Sequence, residues 1–91
     1  MALFDLLGRS WSMGTLWQLA DTGPANFREL QKRCEGVSPT VLNTRLKELR
    51  AAGLVTRGSL GYEITPLGQE LFDHLKPMGT WADRWAQEID R

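Results

Sequence analysis

Residues 27–57, FRELQKRCEGVSPTVLNTRLKELRAAGLVTR, decide the fold. Asn26 stands ahead of them as a helix cap, and Phe27, Leu30 and Gln31 predict a short helix ending near Cys34. Glu35-Gly36-Val37 makes a tight connection. Ser38 caps the next helix, and Pro39 takes its first helical position, where the missing N–H costs nothing. That helix is predicted over about 38–52, with Leu42, Leu46 and Leu49 as its apolar stripe, and it stops at Gly53. Two helices joined by a short glycine-containing turn have the helix-turn-helix geometry, whose second helix reads the major groove of DNA.

Downstream, Leu54-Val55-Thr56-Arg57 reads as a strand, Gly58-Ser59-Leu60-Gly61 as a four-residue turn, and Tyr62-Glu63-Ile64 as a second strand. This hairpin, about 54–64, is the wing. Thr65 and Pro66 repeat the cap-plus-proline start, so a helix is predicted over about 66–90. Leu71, Leu75, Met78, Ala82, Trp85 and Ile89 alternate steps of four and three along it, the pattern of a helix-packing seam. Pro77 should kink it. Upstream, Leu3, Phe4, Leu6 and Leu7 form an apolar cluster too short to be a helix on its own. Ser10 is the expected cap of a helix over roughly Trp11–Ala20, closed by Thr22-Gly23-Pro24. The reading is a mainly α fold with a small β-hairpin: one winged helix-turn-helix domain, 1–91, with terminal dimerisation helices.

Composition excludes several alternatives. A chain of 91 residues with 42% hydrophobic and 24% charged residues can build one modest core, which argues against disorder. No apolar run approaches the ~20 residues of a membrane span, and there is no basic, cleavable leader. Cytoplasmic residence is expected. A lone cysteine, Cys34, and a lone histidine, His74, cannot supply a disulfide or a zinc site. No cofactor is expected. Glycine-rich phosphate loops, paired acids and a nucleophile with its base are all missing, which points away from an enzyme.

The formal net charge is zero, yet it is segregated. Residues 1–26 carry net −1, residues 27–57 net +4 and residues 58–91 net −3. The basic segment coincides with the helix-turn-helix. At about 100° per residue, Thr40, Asn43, Thr44 and Lys47 face away from the leucine stripe near the helix start. Asn pairs with adenine, Thr bonds a base edge or touches the thymine methyl, and Lys reaches guanine or phosphate. The same residues also suit the plain polar side of a half-buried helix. Arg57 and Ser59 border the hairpin, where a cation suits a phosphate or the minor groove. An ion pair from Arg57 to Glu63 across the hairpin is the competing role.

The chain resembles the HxlR-type regulators, a MarR-like winged-helix family of bacterial transcription factors. Trp11 opens the first helix as that family's tryptophan does. Phe27 to Arg57 resembles its helix-turn-helix block, YEITPLG (Tyr62 to Gly68) its exit from the wing, and Trp81 and Trp85 its C-terminal aromatic helix. The resemblance implies a homodimeric DNA-binding repressor or activator with terminal helices at the dimer interface. Its recognition-helix positions fall on Ser38, Pro39, Thr40, Asn43, Thr44 and Lys47, and Arg57 serves the wing. The sequence departs from the family in a shorter, less charged wing. It also lacks the cysteine that some members carry ahead of the first helix. Cys34 is read as a buried structural residue instead.

Four tryptophans exceed what a minimal core requires, and they lie toward the two ends. They either fill the protomer or are buried across a two-fold axis. The second reading assigns Leu3, Phe4, Leu7, Trp11, Leu75, Met78, Trp81, Trp85 and Ile89 to a dimer interface. Such a dimer would set two recognition helices about one DNA turn, ~34 Å, apart on a palindromic duplex site. The resemblance also leaves room for a small-molecule effector between the aromatics. A rival reading, motivated by the zero net charge and short wing, is a winged-helix interaction module with weak or no DNA binding.

Overall fold

The computed structural model describes residues 2–90. It orders them as α1 (Ala2–Leu7), α2 (Ser12–Thr22), α3 (Phe27–Arg33), α4 (Pro39–Ala51), β1 (Val55–Gly58), β2 (Gly61–Ile64) and α5 (Pro66–Ile89). Local chemistry sets most of these boundaries. Asn26 and Glu29 form a reciprocal capping box at the start of α3. The Ser38 hydroxyl accepts the Val41 N–H at 3.2 Å, and the Thr65 hydroxyl accepts the Gly68 N–H at 3.0 Å, each with proline next in line. Gly36, at φ 90°, makes the turn between α3 and α4, a conformation that side chains with a Cβ resist.

The start of α2 differs from expectation. Ser10 is not its cap. Trp11 occupies that position in the left-handed region, φ 71°, with no side-chain cap bond. The turn is held instead by the Thr15 hydroxyl donating to the Trp11 carbonyl at 2.6 Å and by Arg45 Nε donating to the Ser10 carbonyl at 2.7 Å. The helix also runs to Thr22, two residues past Ala20, until Gly23 closes it.

The hairpin is tighter than predicted. Gly58 pairs with Gly61, so the loop is Ser59-Leu60 rather than four residues. A feature absent from the sequence reading completes it: Ala25 bridges Tyr62, with N–H to carbonyl bonds of 3.0 and 2.8 Å in the two directions. The loop between α2 and α3 thereby acts as a third, one-residue strand and fixes the wing against the helices. Helix α5 runs without interruption through Pro77.

The core gathers Leu16 and Leu19 of α2, Leu30 of α3, the three leucines of α4, and Leu54, Val55 and Tyr62 of the wing. Leu42, Leu46 and Leu49 are fully buried, as their spacing predicts. Phe72 of α5 is buried, and Trp17 meets it edge-to-face at 4.9 Å. Gly79 lets α5 close on α2: a Cβ there would stand 2.9 Å from the Trp17 indole. Buried Gly68 plays the same part at the other end, where a Cβ would strike the Leu54 carbonyl. The short α1 leans on this core through buried Leu7 and half-buried Leu3 and Leu6.

Candidate nucleic-acid interface

Helix α4 is anchored on one side only. Its leucines are buried, while Ser38, Pro39, Thr40, Asn43, Thr44 and Lys47 are all exposed. The Thr44 hydroxyl donates to the Thr40 carbonyl at 3.0 Å. Its proton is therefore committed, and toward a partner it offers lone pairs and a methyl group. Among the described residues, no ion pair or side-chain hydrogen bond engages Asn43 or Lys47. The first three turns thus present an amide, a free ammonium and an acceptor on one rigid helix face.

The basic count of residues 27–57 overstates the free charge. Arg45 is mostly buried and hydrogen-bonded to Glu48 at 2.6 Å, and Arg9 closes on the other oxygen of the same carboxylate. Arg33 donates to the Gly23 carbonyl at 2.7 Å. The exposed cations that remain in this segment are Arg28, Lys32, Lys47, Arg50 and Arg57. The Arg9–Glu48–Arg45 cluster does structural work: it ties the turn between α1 and α2 to the far end of α4. No local sequence signal gives the pairing of Arg9 with a carboxylate on α4.

In the wing, Arg57 faces Tyr62 across the ladder, and its guanidinium carbon sits 5.1 Å above the Tyr62 ring. The alternative ion pair to Glu63 does not form, because Glu63 pairs with Thr56 in the register and turns its carboxylate against Gly58. Ser59 is exposed at the hairpin tip beside Leu60.

The residues expected at a dimer interface divide into three groups. Trp81, Trp85, Met78 and Ile89 are 50–61% exposed on α5, and Phe4 is 66% exposed on α1. Trp81 and Trp85 stack on each other, 15° from parallel with centroids 6.3 Å apart. Phe4, Leu7, Leu75 and Met78 line one shallow depression, which brings the two chain ends together. Leu3 and Leu75 are half-buried within the protomer. Leu7 and Trp11 are placed differently from the expectation. Leu7 belongs to the protomer's own core. The Trp11 indole lies beside Gly14 and Gly36, packing on the turn of the helix-turn-helix. Trp17, the fourth tryptophan, is spent inside the fold.

Cys34 is buried, and desolvation raises its thiol pKa despite the Thr15 hydrogen bond and the charge of Arg33. The structural role expected for it fits this setting. His74 is exposed. No cluster of His, Cys, Asp or Glu among the described residues could hold a metal ion, and no described helix is long and apolar enough to cross a membrane.

A helix-turn-helix followed by a hairpin packed on its helices defines the winged-helix class of transcription regulators. The chain belongs to the HxlR-like helix-turn-helix family, whose match covers residues 6–90. It is 38% identical over 85 residues to an uncharacterized HTH-type transcriptional regulator of Halalkalibacterium halodurans, covering 86% of this chain and 75% of that one. Among solved structures it is similar to quinone-bound YodB of Bacillus subtilis, with a TM-score of 0.82 at 34% identity over 91% and 93% of the two chains. A possible HxlR family transcriptional factor from Thermoplasma volcanium superposes with a TM-score of 0.83 at 26% identity, covering 96% and 84%. The family is one of transcriptional regulators, which are not enzymes.

Proposed function

We propose that this chain is a single-domain, homodimeric, sequence-specific binder of double-stranded DNA that regulates transcription in the cytoplasm. One observation carries the reading. The α4 face opposite the buried leucines presents Thr40, Asn43, Thr44 and Lys47, exposed and, but for Thr44's bond to Thr40, unengaged, directly after the Ser38-Pro39 start. These groups suit base edges in the major groove, while Ser38, Pro39, Arg57 and Ser59 border the phosphates. The exposed Met78, Trp81, Trp85, Ile89 and Phe4 supply the apolar surface for a second copy. Two-fold pairing calls for a palindromic operator.

Selection of bound duplexes from a random pool near physiological salt tests this, together with the mass in solution. The expected outcome is a palindromic site, a dimer mass, and affinity that falls steeply with salt as counterions are released. Enrichment of no sequence would sink DNA reading and favour an interaction module. So would affinity unchanged by Thr40→Ala, Asn43→Ala and Lys47→Ala together.

A further inference from the structure

Helix α4 is held twice by one short turn, residues 8–11, that joins α1 to α2. The first hold is apolar. The six-membered ring of the Trp11 indole lies against Gly36, in the turn that leads into α4; a Cβ on Gly36 would stand 3.8 Å from Trp11 Cζ2. The second hold is polar. Arg45 Nε donates to the Ser10 carbonyl at 2.7 Å, and Arg9 and Arg45 meet on the two oxygens of Glu48. Thr40, Asn43, Thr44 and Lys47 lie between Gly36 and Glu48, and none of the four takes part in either hold.

This turn is costly to form. Trp11 sits in the left-handed region, φ 71°, which a bulky side chain disfavours. Beside it, the buried Ser12 hydroxyl has no hydrogen-bond partner among the described residues. Strained backbone persists where surrounding contacts over-determine it, and it gathers at functional sites. Two of the contacts that keep this turn in shape, Trp11 on Gly36 and Arg45 on Ser10, are made with the helix-turn-helix itself.

We propose that Trp11 and Glu48 are positioning residues. They fix how α4 sits on the fold, and so the aim of Thr40, Asn43, Thr44 and Lys47, without touching DNA themselves. The effect on recognition rests on the DNA reading; the hold on α4 does not.

The test uses the full chain and has two readouts. The first, amide hydrogen exchange, needs no DNA. Trp11→Gly removes the indole while its backbone accepts a positive φ. It should speed exchange at Leu42 and Asn43 about tenfold and leave Phe72 of α5 unchanged. Glu48→Gln, which opens the other hold, should speed exchange at Leu46 and Leu49 about threefold. It keeps the test decisive should Trp11→Gly not fold. The second readout is the ratio of affinities for a duplex selected by the parent protein and a random duplex. It should fall about tenfold in Trp11→Gly, the scale of one lost base contact, and about threefold in Glu48→Gln. Loss of folded protein, or a changed net charge, moves both duplexes together and leaves the ratio alone. Trp11→Phe, which keeps a ring for Gly36, should fall between the parent and Trp11→Gly in both readouts. The proposal is overturned if exchange in α4 is unchanged or rises equally at Phe72, or if the ratio holds. It is also overturned if Trp11→Gly lowers the mass in solution, which would make Trp11 an interface residue. If the parent selects no duplex, the DNA reading fails and exchange alone decides the hold on α4.

Discussion

Helix α4 and the outer half of α5 are both amphipathic, and they have opposite fates. Every leucine of the α4 stripe is buried by the chain's own core, so what α4 offers a partner is polar. Beyond Gly79, α5 buries nothing: Trp81, Trp85 and Ile89 stay exposed while continuing the same spacing that buries Phe72's neighbourhood further up. The difference teaches how to read an apolar stripe. Spacing says which residues share a face, but only the reach of the rest of the chain says whether that face is filled from within. A polar face left over suits nucleic acid, and an apolar face left over suits another apolar surface.

The contrast can be broken at both helices. The largest effect is expected from Trp81→Ala with Trp85→Ala. Sedimentation should show a monomer, and operator affinity should fall about 10²–10⁴-fold as two linked half-sites become one. Thermal stability of the protomer should barely change, since these rings touch each other rather than the core. Leu46→Ala should do the reverse. Chemical unfolding should show a loss of about 2–5 kcal/mol from the cavity, whatever the oligomeric state. Lys47→Ala sharpens the polar side of the comparison: duplex affinity should drop by roughly 1–3 kcal/mol if the ammonium reads a base, with the dimer intact. Smaller still is Cys34. Its thiol is raised in the fold, so the unfolded thiol ionises first. The stability it contributes is present at neutral pH and is lost as the pH rises above the ordinary thiol range. Cys34→Ser should flatten that alkaline decline, measured by denaturant midpoints across pH.

Much of this was legible in residues 27–57. Cap residues, Pro39 and the leucine spacing act within one or two turns, and the helices follow them closely. What escaped the sequence depends on partners far along the chain. Ala25 pairing with Tyr62, Arg45 reaching Ser10, and Trp11 packing by Gly36 each join segments that no local pattern connects. The wing loop was misjudged for a related reason. Gly58 and Gly61 look like turn residues, but both fit the ladder, and Gly61 approaches the Ala25 backbone more closely than any side chain could. Trp17 and Trp81 are alike in sequence, but Trp17 packs against Phe72 and Gly79 of α5 while Trp81 stays exposed.

That glycine has a mechanical consequence. Gly79 is where α5 packs on Trp17 of its own protomer, and the residues beyond it, to Ile89, are exposed. At ~1.5 Å per residue, the free arm is about 15 Å long. A tilt of about 10° at its base carries the tip roughly 3 Å, close to one base-pair step along DNA. If a second copy docks on this arm, as proposed, its position is set by how α5 seats on the Trp17 ring.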